Sequence, residues 1–318
     1  MKMSIVFFGT PEFASYSLEK LVQDGIEVKA LVTAPDRPAG RGYELKESDC
    51  KKAALSLGIP VLQPEKLKAQ EFLDELCSLN ADLFVVVAFR MLPKDVWSMP
   101  RLGTINLHAS LLPQFRGAAP INWAIINGEK ETGVTTFMID EEIDTGGILE
   151  QRIVPIKEED NLGSLYQKLK IEGATLLSQT INKLFNDELT PQSQKQVELS
   201  SLKEAPKINK EDCRIDWERP VRQVLNLIRG MSPYPAAFTE LECEGRKAER
   251  LKIFLAEIGD TKPSDVEVGN VVMEGGKLLI ACADRYLSIL ELQKAGKRKM
   301  TVTEFLSGIN KSEKCCAT

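Results

Sequence analysis

Apolar residues in the first half of the chain come in short runs that alternate with helical stretches. Residues 4–9, SIVFFG, form an apolar run closed by Gly9, the pattern of a buried strand. Thr10 and Pro11 then offer an N-cap and a first-turn proline. Phe13, Ser17, Leu18 and Leu21 follow at helical spacing until Gly25 closes the helix. EVKALVT (27–33) alternates as a strand does, and LFVVVAF (83–89) reads as a central strand buried on both faces. Segments 49–58 and 66–79 read as helices. This alternation with short connections predicts an α/β, Rossmann-like, doubly wound and mainly parallel sheet. Ligands of such sheets sit at the carboxyl ends of the strands, near a reversal of strand order. Residues 162–185 repeat apolar positions at helical spacing and are expected to close the first domain.

The pattern then changes. Around 190–207 the chain is rich in Pro, Ser, Gln and Lys with little apolar periodicity, and it reads as a linker. WERPVRQVLNLIRG predicts a helix. AAFTELECEG, RLKIFLAEI and GNVVMEGGKLLIACADRYLSILEL predict short strands spaced as in a small β-rich, OB-like barrel. The expected organisation is therefore a first domain at 1–189, a linker at 190–207 and a second domain at 208–318.

Composition narrows the function classes. The chain has 318 residues and a net charge of −5, unevenly spread. From Lys207 onward there are 19 basic and 17 acidic residues, which leaves 22 basic against 29 acidic before it. The acidic total argues against a general nucleic-acid binder, although a basic surface on the second half stays open. No apolar run reaches the roughly 18 to 20 residues of a membrane span. The N-terminal MKMSIVFFGTPEF has too short an apolar run for a signal peptide, so a cytoplasmic location is expected. Seven cysteines (50, 77, 213, 243, 282, 315 and 316) lack a C-x-x-C pair, which predicts reduced thiols and no structural zinc. Cys315 and Cys316 are expected in a frayed tail. Gly9 is followed by Thr-Pro-Glu and not by the remaining glycines of G-x-G-x-x-G, which argues against a nicotinamide cofactor.

The chain's one histidine lies in INLHASLLPQFRGAAP, residues 105–120. This stretch begins as a strand, in which Asn106 and His108 share a face, and ends as a loop. Downstream, VTTFMI predicts a strand, and DEEIDTGG a loop rich in carboxylates that brings Asp144 toward the same crevice. An Asn–His–Asp set suits acyl transfer to an amine. An amide N–H can bind an oxygen that becomes anionic, and a carboxylate favours the charged form of a neighbouring imidazole. No serine or cysteine nucleophile is needed when the substrate brings its own amine.

NLHASLLPQFRGAAP followed by ETGVTTFMIDEEIDTGGIL resembles the formyltransferases that use 10-formyltetrahydrofolate. The resemblance implies that Asn106 and His108 stabilise the oxyanion while Asp144 acts on His108. It also implies that Ser110, Leu111, Leu112 and Pro113 form a folate-binding loop, with Phe89, Arg90, Met91 and Leu92 lining the pteridine slot. The family's Tyr-Gly stands here as Phe89-Arg90. No metal is implied. APDRPAGRG (34–42) resembles an inserted loop of those members whose acceptor is methionyl-initiator-tRNA, which implies RNA contacts for Arg37 and Arg41. RIDW, SPYPAAF and LQKAGKRKM resemble the RNA-binding barrel of the same members, so Lys294, Lys297, Arg298 and Lys299 are implied as phosphate contacts. The alternative within the family is an acceptor that is a nucleotide-linked amino sugar. A monomer is expected.

Overall fold

The computed structural model describes residues 3–39, 44–194, 202–245, 247–308 and 314–318. The chain divides into two compact units. One comprises Met1–Gly117, Thr132–Pro155 and Gln167–Glu204, the other Ala118–Glu131, Ile156–Tyr166 and Ala205–Thr318.

The first part of the chain runs β1 (Ser4–Gly9), α1 (Glu12–Gln23), β2 (Glu27–Val32), β3 (Arg37–Ala39), β4 (Glu44–Lys46), α2 (Asp49–Ser56), β5 (Val61–Leu62), α3 (Gln70–Ser78) and β6 (Leu83–Val87). Then come α4 (Lys94–Trp97), β7 (Thr104–His108), β8 (Arg116–Gly117), α5 (Pro120–Ile126), β9 (Glu131–Met138), β10 (Ile148–Pro155) and α6 (Leu162–Phe185). The main sheet has the order β10-β9-β7-β6-β1-β2-β5. β1 pairs in parallel with β2 and β6, β6 with β7, and β2 with β5, while β9 runs antiparallel to β7. This is the doubly wound, mainly parallel sheet that the alternation predicts. From β1 the chain builds outward through β2 and β5, then returns to the other side of β1 with β6. That return is the reversal of strand order at which such sheets bind ligands.

Register makes the reversal concrete. Gly9 stands opposite Val87 and Val87 opposite Leu107, so the ends of β1, β6 and β7 lie in one row with His108 a residue beyond. Gly9 is needed for the turn out of β1: a Cβ there would sit 2.6 Å from Ala14 Cβ and 2.8 Å from the Phe7 ring. Two local expectations shift. Pro11 and not Thr10 occupies the cap of α1, which offers no side-chain cap; the Thr10 carbonyl instead accepts from the amide of Cys50. β6 stops at Val87 and not at 89, because Ala88 takes the left-handed conformation with φ 46°. The region that includes the APDRPAGRG stretch contains a small antiparallel pair, β3 with β4, that sets Arg37 opposite Lys46.

The remaining elements are β11 (Glu204–Ala205), α7 (Val221–Met231), β12 (Ala237–Cys243), β13 (Glu249–Thr261), β14 (Asn270–Glu274), β15 (Lys277–Ala281), β16 (Arg285–Lys294), β17 (Met300–Thr301), α8 (Val302–Ser307) and β18 (Cys315–Ala317). Strand order β13-β12-β18-β14-β15-β16, closed by pairing of β13 with β16, makes a six-stranded antiparallel barrel, with β17 added at the side of β16. Its core holds Trp217, Ile228, Met231, Leu251, Ile253, Leu278, Leu287 and Leu292, all buried. Trp217 precedes the helix and donates from its indole N–H to Thr239 Oγ1 at 3.0 Å. α8 starts with a full capping box between Thr301 and Glu304.

The C-terminal tail is not frayed, and its thiols are not all reduced. β18 fills the place between β12 and β14, with Cys315 and Ala317 buried, and Cys315 forms a disulfide with Cys243 directly across the strand pair. Spacing could not reveal this pairing: 72 residues separate the partners, and register alone makes them neighbours, with Cα atoms 4.1 Å apart. Among the described residues no helix is long and apolar enough to cross a membrane.

Candidate active site at the strand ends

Asn106 and His108 alternate along β7 and therefore share a face, flanked by β6 on one side and β9 on the other. They differ in how they are held. Asn106 is half-buried, and its amide has no hydrogen-bond partner among the described residues. His108 is buried, with Nε2 2.9 Å from the carbonyl oxygen of Phe115. A carbonyl only accepts, so Nε2 carries a proton there and Nδ1 is the nitrogen left to gain or lose one. Nδ1 lies 3.7 Å from Asp144 Oδ2.

Asp144 comes from the loop after β9. This residue sits at φ 58°, a conformation that aspartate tolerates better than most side chains. The loop is ordered by Asp140, whose Oδ1 accepts from Thr145 Oγ1 at 2.8 Å and from the amide of Glu142 at 3.2 Å. Gly146 lets the loop fold back on β9, since a Cβ there would sit 1.7 Å from the Met138 carbonyl oxygen. The amide of Gly117 donates to Asp144 Oδ2 at 3.0 Å, so the carboxylate is fixed by backbone as it faces the imidazole.

The Ser110–Pro113 loop is wired from within. Ser110 Oγ donates to the Gln114 carbonyl at 2.7 Å, and Thr135 Oγ1 donates to the Ser110 carbonyl at 2.6 Å. Gln151 Nε2 donates to the Leu112 carbonyl at 2.9 Å, and the Leu112–Pro113 peptide is cis. Ser110 and Leu112 are buried, while Leu111 and Pro113 are half-buried, so this loop offers shape and main chain more than polar side chains. After β6, Phe89 packs edge-on against Phe8 at 5.8 Å and Leu92 joins the core beneath, leaving Met91 71% exposed. Arg90 turns away to the Pro64 and Glu65 carbonyls, the latter at 2.9 Å. Burial, and then the charge of Arg37, lower the pKa of its guanidinium. Arg37 is exposed on β3 beside it, and Arg41 lies outside the described residues. The neighbouring Asp36 is held below the usual carboxylate range by Lys51 and then by Gln63. Lys94 pairs with Glu141 at 2.5 Å, tying the loop after β6 to the loop that carries Asp144 and the exposed Ile143.

The basic cluster near the end of the barrel is less basic than its sequence. Lys294 pairs with Glu249 at 2.8 Å, Lys299 with Glu291 at 2.5 Å and Arg298 with Glu304 at 2.6 Å; of the four, only Lys297 has no carboxylate partner among the described residues. Sequence reading missed a second basic surface in the same unit. A cleft of 680 Å³ is lined by Lys207, Lys210, Arg250 and Lys252 and carries Tyr234, which is 79% exposed. Those residues are scattered between positions 207 and 252 and form no run, so charge spacing could not have found them. Among the described residues, no three His, Cys, Asp or Glu side chains stand close enough to hold a metal ion.

The sequence profile of the formyl transferase family matches residues 1–181, and that of the formyl transferase C-terminal domain matches 207–310. The chain is 48% identical to the methionyl-tRNA formyltransferase of Bacteroides thetaiotaomicron over 313 residues, 98% of this chain and 97% of that protein. It is 49% identical to that of Parabacteroides distasonis over 312 residues, 96% and 95% of the two chains. Among solved structures, an N-formyltransferase from Helicobacter canadensis with folinic acid and dTDP-3-aminofucose shares the fold, with TM-score 0.64, 20% identity and coverage of 92% of this chain and 99% of that one. HypX from Aquifex aeolicus with tetrahydrofolic acid does so with TM-score 0.63 and 21% identity, covering 97% of this chain and 48% of that one.

Proposed function

We propose that this chain, which belongs to the formyl transferase family, moves the formyl group of 10-formyltetrahydrofolate to the free amine of methionyl-initiator-tRNA. The observation that carries the chemistry is the amide of Asn106, without a partner among the described residues and set on one strand face with a His108 whose second nitrogen looks at Asp144. The acceptor is taken from relatives that are 48% and 49% identical over nearly the full length.

When bound, the folate supplies a formyl carbon attached to a nitrogen that can leave. The residues around the strand ends fit such a group: Met91 and Ile143 offer exposed apolar surface on two loops tied together by Lys94 and Glu141. Asn106 turns its N–H toward the formyl oxygen and stabilises the charge that grows there. His108, anchored through Nε2 on Phe115, takes on Nδ1 the proton that the attacking amine gives up, is stabilised as imidazolium by Asp144, and passes that proton to the folate nitrogen as its bond to the formyl carbon breaks. The charged ring then adds its own field beside the oxygen held by Asn106. No covalent link to the protein is needed, because the attacking amine belongs to the acceptor. The main chain of Ser110–Pro113 shapes the folate pocket, with Phe89–Leu92 at its edge. Arg37 and Arg41 belong to the loop that meets the acceptor end.

In this reading the chemistry belongs to residues 1–189, and residues 208–318 hold the RNA, with the protein acting as a monomer in the cytoplasm. Lys294, Lys297, Arg298 and Lys299 contribute phosphate contacts, with Lys297 the one whose charge is not matched among the described residues. The test is transfer of labelled formyl from 10-formyltetrahydrofolate to methionyl-initiator-tRNA, with uncharged tRNA and an amino-sugar nucleotide in parallel. Label appearing only on the charged tRNA is expected. Label on the sugar nucleotide, with none on the tRNA, would overturn the acceptor assignment.

A further inference from the structure

The segment read as a linker reaches back to the loop that carries Asp144. Gln192 exchanges both main-chain hydrogen bonds with Ile148, at 2.7 and 2.8 Å, an isolated antiparallel bridge at the start of β10. This brings Gln194 under the loop, where it is 9% exposed. Its Nε2 donates to the carbonyl oxygens of Asp144 at 2.8 Å and of Gly146 at 2.9 Å. Its Oε1 accepts from Arg116 Nη2 at 2.5 Å. Arg116 in turn precedes Gly117, whose amide fixes Asp144 Oδ2.

We propose that Gln194, oriented by Arg116, is a positioning residue that sets the Asp144 carboxylate against His108. The inference rests on the reading above that Asp144 acts on His108. Asp144 is held at both ends, its carbonyl by Gln194 and its carboxylate by Gly117. Between those holds it keeps a left-handed backbone that few side chains adopt unaided. A primary amide suits the task because it presents two N–H donors to two carbonyls while its oxygen meets a guanidinium. Glutamate keeps the pairing with Arg116 but loses both donors and faces two carbonyl oxygens with a carboxylate. Methionine keeps the volume and loses everything polar. Arg116 Nε is buried and has no hydrogen-bond partner among the described residues, so the guanidinium is not solvated as a surface arginine would be. Losing Gln194 Oε1 would leave its charge poorly matched. A chain of contacts thus runs from Arg116 through Gln194 to Asp144 and His108, built from segments far apart in sequence.

The test is a double-mutant cycle in the formyl-transfer assay, combining Gln194→Met with Asp144→Asn. Gln194→Met alone is expected to lower kcat by about 30-fold, in line with the cost of roughly an ångström of misplacement, with KM for RNA and folate held within about twofold. On the Asp144→Asn background the same change is expected to cost less than about threefold, since the carboxylate it serves is already gone. Equal losses on both backgrounds, or a change confined to KM, would overturn the proposal. If Gln194→Met does not fold, Arg116→Met is read in the same cycle against the same criteria. The underlying reading fails separately: Asp144→Asn alone retaining full activity would remove it, whatever Gln194 does.

Discussion

The crevice beside His108 and the barrel handle polar groups in opposite ways. In the crevice nearly every polar atom has a named task. His108 rests on Phe115, Asp144 on Gly117 and Gln194, and Ser110 on Gln114, while the amide of Asn106 has no partner among the described residues. In the barrel, charge is neutralised pairwise at the surface, by Lys294 with Glu249 and Arg298 with Glu304, over a mainly aliphatic core that also holds Trp217, Phe238 and Phe305. A network of buried single-partner bonds tolerates no exchange of parts, because each lost partner strands another polar atom. A barrel built on alternation tolerates many surface changes, because exposed ion pairs contribute little.

Substitutions can break or sharpen this contrast. Asn106→Ala should have the largest effect, a kcat lower by about 10²- to 10³-fold, as for loss of a single oxyanion donor. Thermal unfolding measured alongside should scarcely move, because the amide has no partner to abandon among the described residues. A large fall in Tm with kcat preserved would reverse the roles given to the two regions. In the barrel, Cys243→Ala removes a disulfide that closes a 72-residue separation, worth about 4 kcal/mol in the chain-entropy account. Urea unfolding of the oxidised protein and this variant should differ by about that much, and equal midpoints would show that β18 is held by its strand pairing alone. Trp217→Phe should cost about 1 kcal/mol for its hydrogen bond to Thr239, read from the same unfolding curves.

The smallest effects concern the surface and the thiols. Lys299→Ala should change stability by less than about 1 kcal/mol, as its pairing with Glu291 is exposed. Lys297→Ala should leave stability alone and lower the salt dependence of RNA binding by about one charge. A salt slope that falls for Lys299 and not for Lys297 would overturn the view that ion pairing decides which cations are available. Burial pushes the Cys282 thiol up to about 12 and also raises those of Cys50 and Cys213. A thiol reagent at pH 8 should therefore label the exposed Cys77 and Cys316 in the native oxidised protein. Labelling of Cys282 before unfolding would contradict this.

Much of the architecture was legible in local pattern. The run 4–9 is β1, the helical repeat at 162–185 is α6 to the residue, and the short strands after 236 close into a barrel. Asn106 and His108 could be placed on one face because strand period is local. The end of β6 was read two residues late, since nothing in the run VVVAF announces that Ala88 turns left-handed. The disulfide was missed for another reason. Cys243 and Cys315 become partners only when a tail strand completes a barrel, and that register follows from closure of the whole sheet.

The same division holds at the site. The amino-acid sequence by itself determined which chemistry was on offer: one imidazole, an amide two residues before it, a carboxylate in a glycine-rich loop, and a family resemblance in the residues around them. Tertiary structure alone decided which nitrogen of His108 is committed to Phe115 and that Asp144 addresses the other one. It also took Gln194 out of an unremarkable polar stretch and set it beneath Asp144, and paired off three of the four cations of a basic run. Residue type sets what a group can do, and periodicity sets the face it lies on. Hydrogen-bond direction and charge balance depend on neighbours that the chain brings together only after it has folded.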